Sequence, residues 1–123
     1  MTPVAIRSYT ATTALGHGRK AQAEALRARR SGLRRNDFGD GIAADARLDT
    51  WIGRVDGVED VVLPPTLAPF DCRNHRLAWL ALQQDDTLYG VAALRARHGS
   101  ERVAIVIGTS TSSIGASEEA YTR

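Results

Sequence analysis

The side chains able to do chemistry in this 123-residue sequence are few and scattered. Cys72 is the single cysteine, so no internal disulfide can form, which fits a reducing compartment. His17, His75 and His98 contain no pair at the i,i+4 spacing of a helical metal site. Cys72 and His75 alone are too few ligands for zinc. A small, part-buried side chain is the plainer account of Cys72. The pair Gly16-His17-Gly18 precedes a helical pattern and could aim backbone N–H groups at a phosphate. Neither the dinucleotide glycine fingerprint nor a Gly-Lys-Ser/Thr follows, so a plain strand-to-helix turn is much the better account. Residues 108–113 (GTSTSS) offer small hydroxyl side chains after an apolar run. Ligands in open α/β sheets collect at the carboxyl ends of strands. The run is not a nucleophile elbow, because Ser112 stands where the second glycine is needed.

Arg27, Arg29, Arg30, Arg34 and Arg35 form a basic cluster that could meet a phosphate backbone. No aromatic residue interleaves with them to stack on bases. A solvated helix end, with cations at the negative end of the dipole, is the simpler account. The basic residues are 15 arginines and Lys20. That bias, with abundant alanine, points to a GC-rich coding sequence, so the arginine count is weak grounds for phosphate recognition. Net charge is only +2.

The elements that would position these residues follow from periodicity. Residues 3–10 (PVAIRSYT) alternate like a first strand. A turn-rich connection leads to a helix over 19–30, with Ala21, Ala25, Leu26 and Ala28 on one face and Gly32 as its stop. Residues 33–69 are rich in glycine and proline and read as loops with short strands, one of them at 50–55 (TWIGRV). A helix over 71–84 would be capped by Asp71, with Leu77, Leu80 and Ala81 on its apolar face. A second helix runs over 87–98 and ends at Gly99. Residues 102–107 then read as a strand apolar on both faces, the mark of a parallel strand covered by helices. This alternation predicts an α/β layered domain.

Composition sets wider bounds. At 43% hydrophobic and 24% charged residues the chain is ordinary for a globular protein. Its longest apolar run, 103–107, is strand-length and far short of a membrane span. The first residues lack a basic n-region, and Arg7 interrupts the apolar stretch, so no secretory leader is expected. A cytoplasmic location, with no membrane and no nucleic-acid partner, is the expectation.

Taken in order, these segments resemble the amino-terminal portion of β-ketoacyl-carrier-protein synthases, condensing enzymes of the thiolase superfamily. Residues 4–16 look like the opening strand and its leucine-glycine turn. Residues 23–33 (AEALRARRSGL) look like the next helix and its Arg-Ser-Gly-Leu exit. Residues 71–84 resemble a helix carrying basic residues ahead of an apolar face. The run 102–121 (RVAIVIGTSTSSIGASEEAY) is the most specific match, as strand, glycine, small residues and helix start. The Asp-Cys-Arg-Asn-x-Arg run at 71–76 is typical of the subgroup in aryl polyene and other specialised pathways.

The resemblance implies a thiolase-like αβαβα fold, a mixed sheet with helices on its faces, of which residues 1–123 are the incomplete N-terminal half. It implies decarboxylative condensation of malonyl-carrier protein with an acyl thioester, in fatty acid, aryl polyene or polyketide synthesis. It places the nucleophilic cysteine and both histidines beyond Arg123. No catalytic residue, metal or cofactor is therefore expected here, and the chain alone is expected to be inactive. Two features carry over. Thr111 matches the residue bordering the acyl pocket, and Arg73 and Arg76 match helix residues facing the acidic acyl carrier protein. A homodimer, a heterodimer with a related subunit, or a complementing C-terminal chain is the implied assembly. Two further functions remain open, a non-catalytic chain-length-factor-like subunit and a small basic nucleic-acid binder. If residues 102–107 find no covering layer, their backbone edges and apolar surface are expected to lie unprotected.

Overall fold

The computed structural model describes residues 3–38, 48–110, 112–114, 117 and 121. The chain is mixed α/β, with three α-helices and two small antiparallel sheets among these residues. Strands β1 (Thr12–Thr13) and β2 (Gly16–His17) form a tight hairpin, pairing Thr12 with His17 and Thr13 with Gly16. Helix α1 (Gly18–Arg27) leaves β2 directly. Gln22 on α1 accepts from the Thr13 hydroxyl at 2.9 Å and donates to the Gly16 carbonyl at 2.6 Å, which locks the hairpin onto the helix.

The end of α1 differs from the sequence expectation. It stops at Arg27 in a Schellman arrangement, with Arg30 N–H donating to Ala25 O at 2.9 Å and Arg29 N–H to Leu26 O at 3.1 Å. Arg29 takes the left-handed conformation (φ 51°) that glycine usually fills. Gly32 is not the helix stop. A Cβ there would lie 2.6 Å from both the carbonyl carbon and oxygen of Ala14, so its missing side chain is what lets the exit of α1 pass under the hairpin turn. Leu26, expected on the packed face, is 68% exposed, whereas Ala25 is fully buried.

Strands β3 (Leu33–Arg35) and β4 (Trp51–Gly53) make the second sheet, in register Leu33–Gly53, Arg34–Ile52, Arg35–Trp51. The strand expected at 50–55 is thus present, shortened to Trp51–Gly53. The next segment supplies most of the core: Val55, Val58 and Leu63 are buried, and together with Ala25 they are the buried apolar side chains among the described residues.

A 3-10 helix, Pro65–Phe70, leads into α2 (Arg73–Leu82). Two consecutive left-handed residues, Asp85 (φ 52°) and Asp86 (φ 58°), turn the chain into α3 (Thr87–His98). Gly99 (φ 84°) ends α3, and its N–H donates to Arg95 O at 2.9 Å. The expected bounds of α3 hold, and those expected for α2 were too long at both ends.

Two expected strands are corrected. Residues 3–10 form no strand, with Val4 95% and Ile6 84% exposed. Ser100–Arg102 is a 3-10 turn, and residues 103–107, expected to be buried on both faces, join no sheet and leave Ile105, Val106 and Ile107 at least 80% exposed. A β-branched run favours extended backbone, but a strand also needs a ladder partner. Neither segment finds one among the described residues. The layered arrangement with a covered parallel strand is therefore not what these residues form.

Candidate functional site

Asp71, Cys72, Arg73, His75 and Arg76 gather at the start of α2. Asp71 and Cys72 are extended, and the helix begins at Arg73. The N-cap is Cys72, where Asp71 was expected. The Asp71 carboxylate instead faces Arg76, which donates from Nε to Oδ1 and from Nη2 to Oδ2, both at 2.6 Å. Such a two-pronged pair is stronger than a single ionic contact. Hydrogen bonds from Arg76 hold the Asp71 carboxyl below its ordinary range. Arg76 also donates from Nη1 to the Glu59 carbonyl at 3.3 Å.

Arg73 donates from Nε to Glu59 Oε1 at 3.1 Å. Arg54 approaches the same carboxylate at 3.6 Å. Both guanidinium groups lie over the Phe38 ring, at 4.8 and 4.9 Å from its centroid. Burial acts on Glu59 to raise its pKa, but the hydrogen bond from Arg73, a backbone N–H and the two cations outweigh it, leaving the carboxyl lowered. Arg73 and Arg76, one helical turn apart, are thus brought together around Glu59, each engaged with a carboxylate of its own chain.

Thr111 lies outside the described residues. Ser113, two positions on, returns to the same site, its Oγ 3.3 Å from Cys72 Sγ. Burial raises the Cys72 thiol pKa, as does the Asp71 charge. The Ser113 hydroxyl and the backbone N–H groups of His75 and Asn74 act the other way and win, so the thiol is lowered overall. No side-chain capping hydrogen bond closes at Cys72, so the two N–H groups act on the sulfur as nearby dipoles at a helix start. Sequence reasoning missed this pairing. Its one signal was the hydroxyl-rich run 108–113, and 41 residues separate the partners.

Beside the site lies an apolar pocket of about 360 Å³. Leu63, Leu67 and Phe70 line one side, and His75, Trp79 and Leu82 the other. The last three sit four and three apart on α2, one stripe of the helix. His75 Nδ1 donates to the Phe70 carbonyl, which commits that nitrogen as N–H and leaves Nε2 as the basic position in the neutral ring. Among the described residues no hydrogen bond joins His75 Nε2 to Cys72 or Ser113, whose own contact is the one at 3.3 Å. The site thus sets an apolar pocket beside two arginines, each paired with a carboxylate of its own chain.

Several of the remaining candidates are engaged within the chain itself. His17 Nε2 donates to the Asp56 carbonyl at 3.0 Å, tying β2 to the segment after β4. The start of α1 after Gly16-His17-Gly18 already holds an anion of its own: Asp85 Oδ2 accepts from Arg19 N–H and from the Thr10 hydroxyl, both at 2.8 Å. A phosphate has no vacancy there. In the basic cluster, Arg34 pairs with Asp56 and Asp37, and Arg35 with Asp49 while lying over Trp51. Among the described residues no group of three or more His, Cys, Asp or Glu could hold a metal, and no helix is long and apolar enough to cross a membrane. No family model matches the chain, and no curated protein or solved structure matches it.

Proposed function

We propose that this chain is the N-terminal portion of a cytoplasmic 3-oxoacyl-[acyl-carrier-protein] synthase with a thiolase-like layered fold. The whole enzyme would be an acyltransferase condensing malonyl-carrier protein with an acyl thioester in fatty acid, aryl polyene or polyketide synthesis. The reading rests on the run 102–121, where a strand-like apolar stretch, a glycine, small hydroxyl residues and an acidic helix start follow in the family's order. Supporting it, the two exposed apolar segments, 3–10 and 103–107, fall where the resemblance puts sheet strands. Thr111 borders the acyl pocket in this reading. Arg73 and Arg76 steer the acidic carrier protein, whose carboxylates compete with Glu59 and Asp71 for the two guanidinium groups.

Binding of an acyl carrier protein, followed by calorimetry at low and moderate salt, tests this directly. Replacing both arginines by glutamate is expected to weaken binding by roughly tenfold or more, with the difference shrinking as salt rises. Equal affinity for the double variant removes the carrier-contact assignment. Condensation assays on this chain alone are expected to show no turnover, and turnover would overturn the assignment of the chemistry to residues outside it.

A further inference from the structure

The α2–α3 hairpin meets the rest of the chain across gaps. No residue of α2 or α3 is buried, and every residue of α3 after Thr87 is exposed. A pocket of about 360 Å³ lies between α2 and the side chains of Leu63, Leu67 and Phe70. A groove of about 630 Å³ lies between α3 and residues 5–9. Among the described residues, no backbone hydrogen bond ties either helix to α1 or to the sheets. What crosses instead is polar and sits at the two ends of α2. At its start, Arg73 donates to the Glu59 carboxylate at 3.1 Å and Arg76 to the Glu59 carbonyl at 3.3 Å. Glu59 is anchored as the neighbour of the fully buried Val58. Just past the end of α2, Asp85 accepts from the Arg19 N–H and the Thr10 hydroxyl, both at 2.8 Å, and pairs with the Arg19 guanidinium at 3.4 Å. Asp85 and Asp86 are both left-handed there, a conformation that L residues keep only where their surroundings hold it.

We propose that the α2–α3 hairpin is a flap, hinged at the extended residues 71–72 and at Gly99, which two carboxylate clasps hold closed and acid releases. One clasp is Glu59 with Arg73, and the other is Asp85 with Arg19 and Thr10. The carboxylate belongs to the body in the first and to the flap in the second, so protonation loosens both ends of α2 together. Around the first clasp stand Arg54, 3.6 Å from Glu59 and itself paired with Asp37, and Arg76, paired with Asp71. Around the second, Arg19 lies over the Tyr9 ring. The Arg19 N–H and the Thr10 hydroxyl hold the Asp85 carboxyl below its ordinary range. At Glu59 burial is outweighed by Arg73, a backbone N–H and Arg54, and the carboxyl is lowered too. A carboxyl lowered in the closed form holds the flap shut above its ordinary pKa of about 4. That hold is lost as pH falls through the lower closed-form value. Exposed ion pairs contribute little each, so the flap opens more readily than the whole fold. Opening bares the α2 stripe of His75, Trp79 and Leu82. The contact between Cys72 and Ser113 sits at the hinge and spans neither clasp.

The inference does not rest on the synthase reading, and its tests read local opening only. Amide exchange on the unaltered chain, expressed as protection relative to the intrinsic rate at each pH, separates the elements. Released helices of 10 and 12 residues are too short to persist alone. Between about pH 7 and about pH 3, protection in α2 and α3 is expected to fall roughly tenfold or more, while α1 and the β3–β4 sheet keep theirs. Equal loss in all three helices, or no loss in α2 and α3, overturns the flap. In a Trp51→Phe background, Trp79 fluorescence is expected to move to longer wavelength over the same range, and an unmoved spectrum counts against the opening. Glu59→Gln with Asp85→Asn removes both charges at nearly constant shape. At neutral pH this double variant is expected to show the acid pattern already, α2 and α3 open beside a protected α1, with little further change on acidification. Parent-like protection in its α2 and α3 overturns the clasps. Loss of protection in α1 as well overturns the flap, because the clasps would then hold the whole fold.

Discussion

Cys72 shows how a plain residue acquires a distinct environment. Its position at the start of α2 puts two backbone N–H groups near the sulfur, and Ser113 adds a hydroxyl at 3.3 Å. Burial works against the thiolate, yet the balance lowers the pKa. Alkylation by iodoacetamide should therefore reach half its limiting rate at a pH below the roughly 8.5 of an unperturbed thiol. Ser113→Ala should move that midpoint upward, and an unchanged profile would show that the hydroxyl does not govern the sulfur. Asp71 has a depressed folded-state pKa because Arg76 donates to both its oxygens. The stability it contributes is present above the unfolded value of about 3.9 and is lost as pH falls through the lower folded value. Asp71→Asn should be less stable than the parent chain at pH 7 in urea unfolding. The gap should close as the solution is taken well below pH 4.

Among the elements, α1 and its exit carry the clearest local logic. Arg29 sits at φ 51° in the Schellman turn, where an L side chain is strained by about 1 kcal/mol. Arg29→Gly should raise stability by roughly 0.5–1 kcal/mol. Gly32→Ala should do the reverse and cost roughly 1–3 kcal/mol, because its new Cβ meets backbone atoms of Ala14 at 2.6 Å. Both changes are read by urea unfolding. The Arg-Ser-Gly-Leu exit at 30–33 thus has a physical basis that the sequence did not disclose. Gly32 is legible as a helix-ending glycine, but the reason for it lies in a hairpin turn 18 residues earlier. By contrast, the end of α3 at Gly99 was legible, because a positive-φ glycine after a helical stretch is a local signal. The sequence also misplaced the cap of α2. Asp71 is chemically suited to capping, but Arg76 five residues on takes its carboxylate.

At the scale of the molecule, the buried apolar set is small. Val58 is fully buried, and Ala25, Val55 and Leu63 complete the group among the described residues. Val58→Ala removes two carbons from the middle of it and should cost roughly 2 kcal/mol, from lost transfer energy and a residual cavity. The loss is measurable by thermal or urea unfolding. A change near zero would mean that the segment around Val58 does not hold the fold together. Apolar side chains lie exposed instead, among them Val4, Ile6, Ile105, Val106 and Ile107 on 3–10 and 103–107.

From the sequence alone came the α/β class, the existence of the three helices, the bounds of α3 and the short strand near Trp51. Each depends on residues close together in the chain, where periodicity and glycine punctuation act. Tertiary structure decided the rest. It brought Ser113 to Cys72, gave Glu59 to Arg73, filled the start of α1 with Asp85, and left 3–10 and 103–107 without a ladder. A strand's apolar pattern states which side chains want cover. Whether cover arrives depends on a partner that local sequence does not specify.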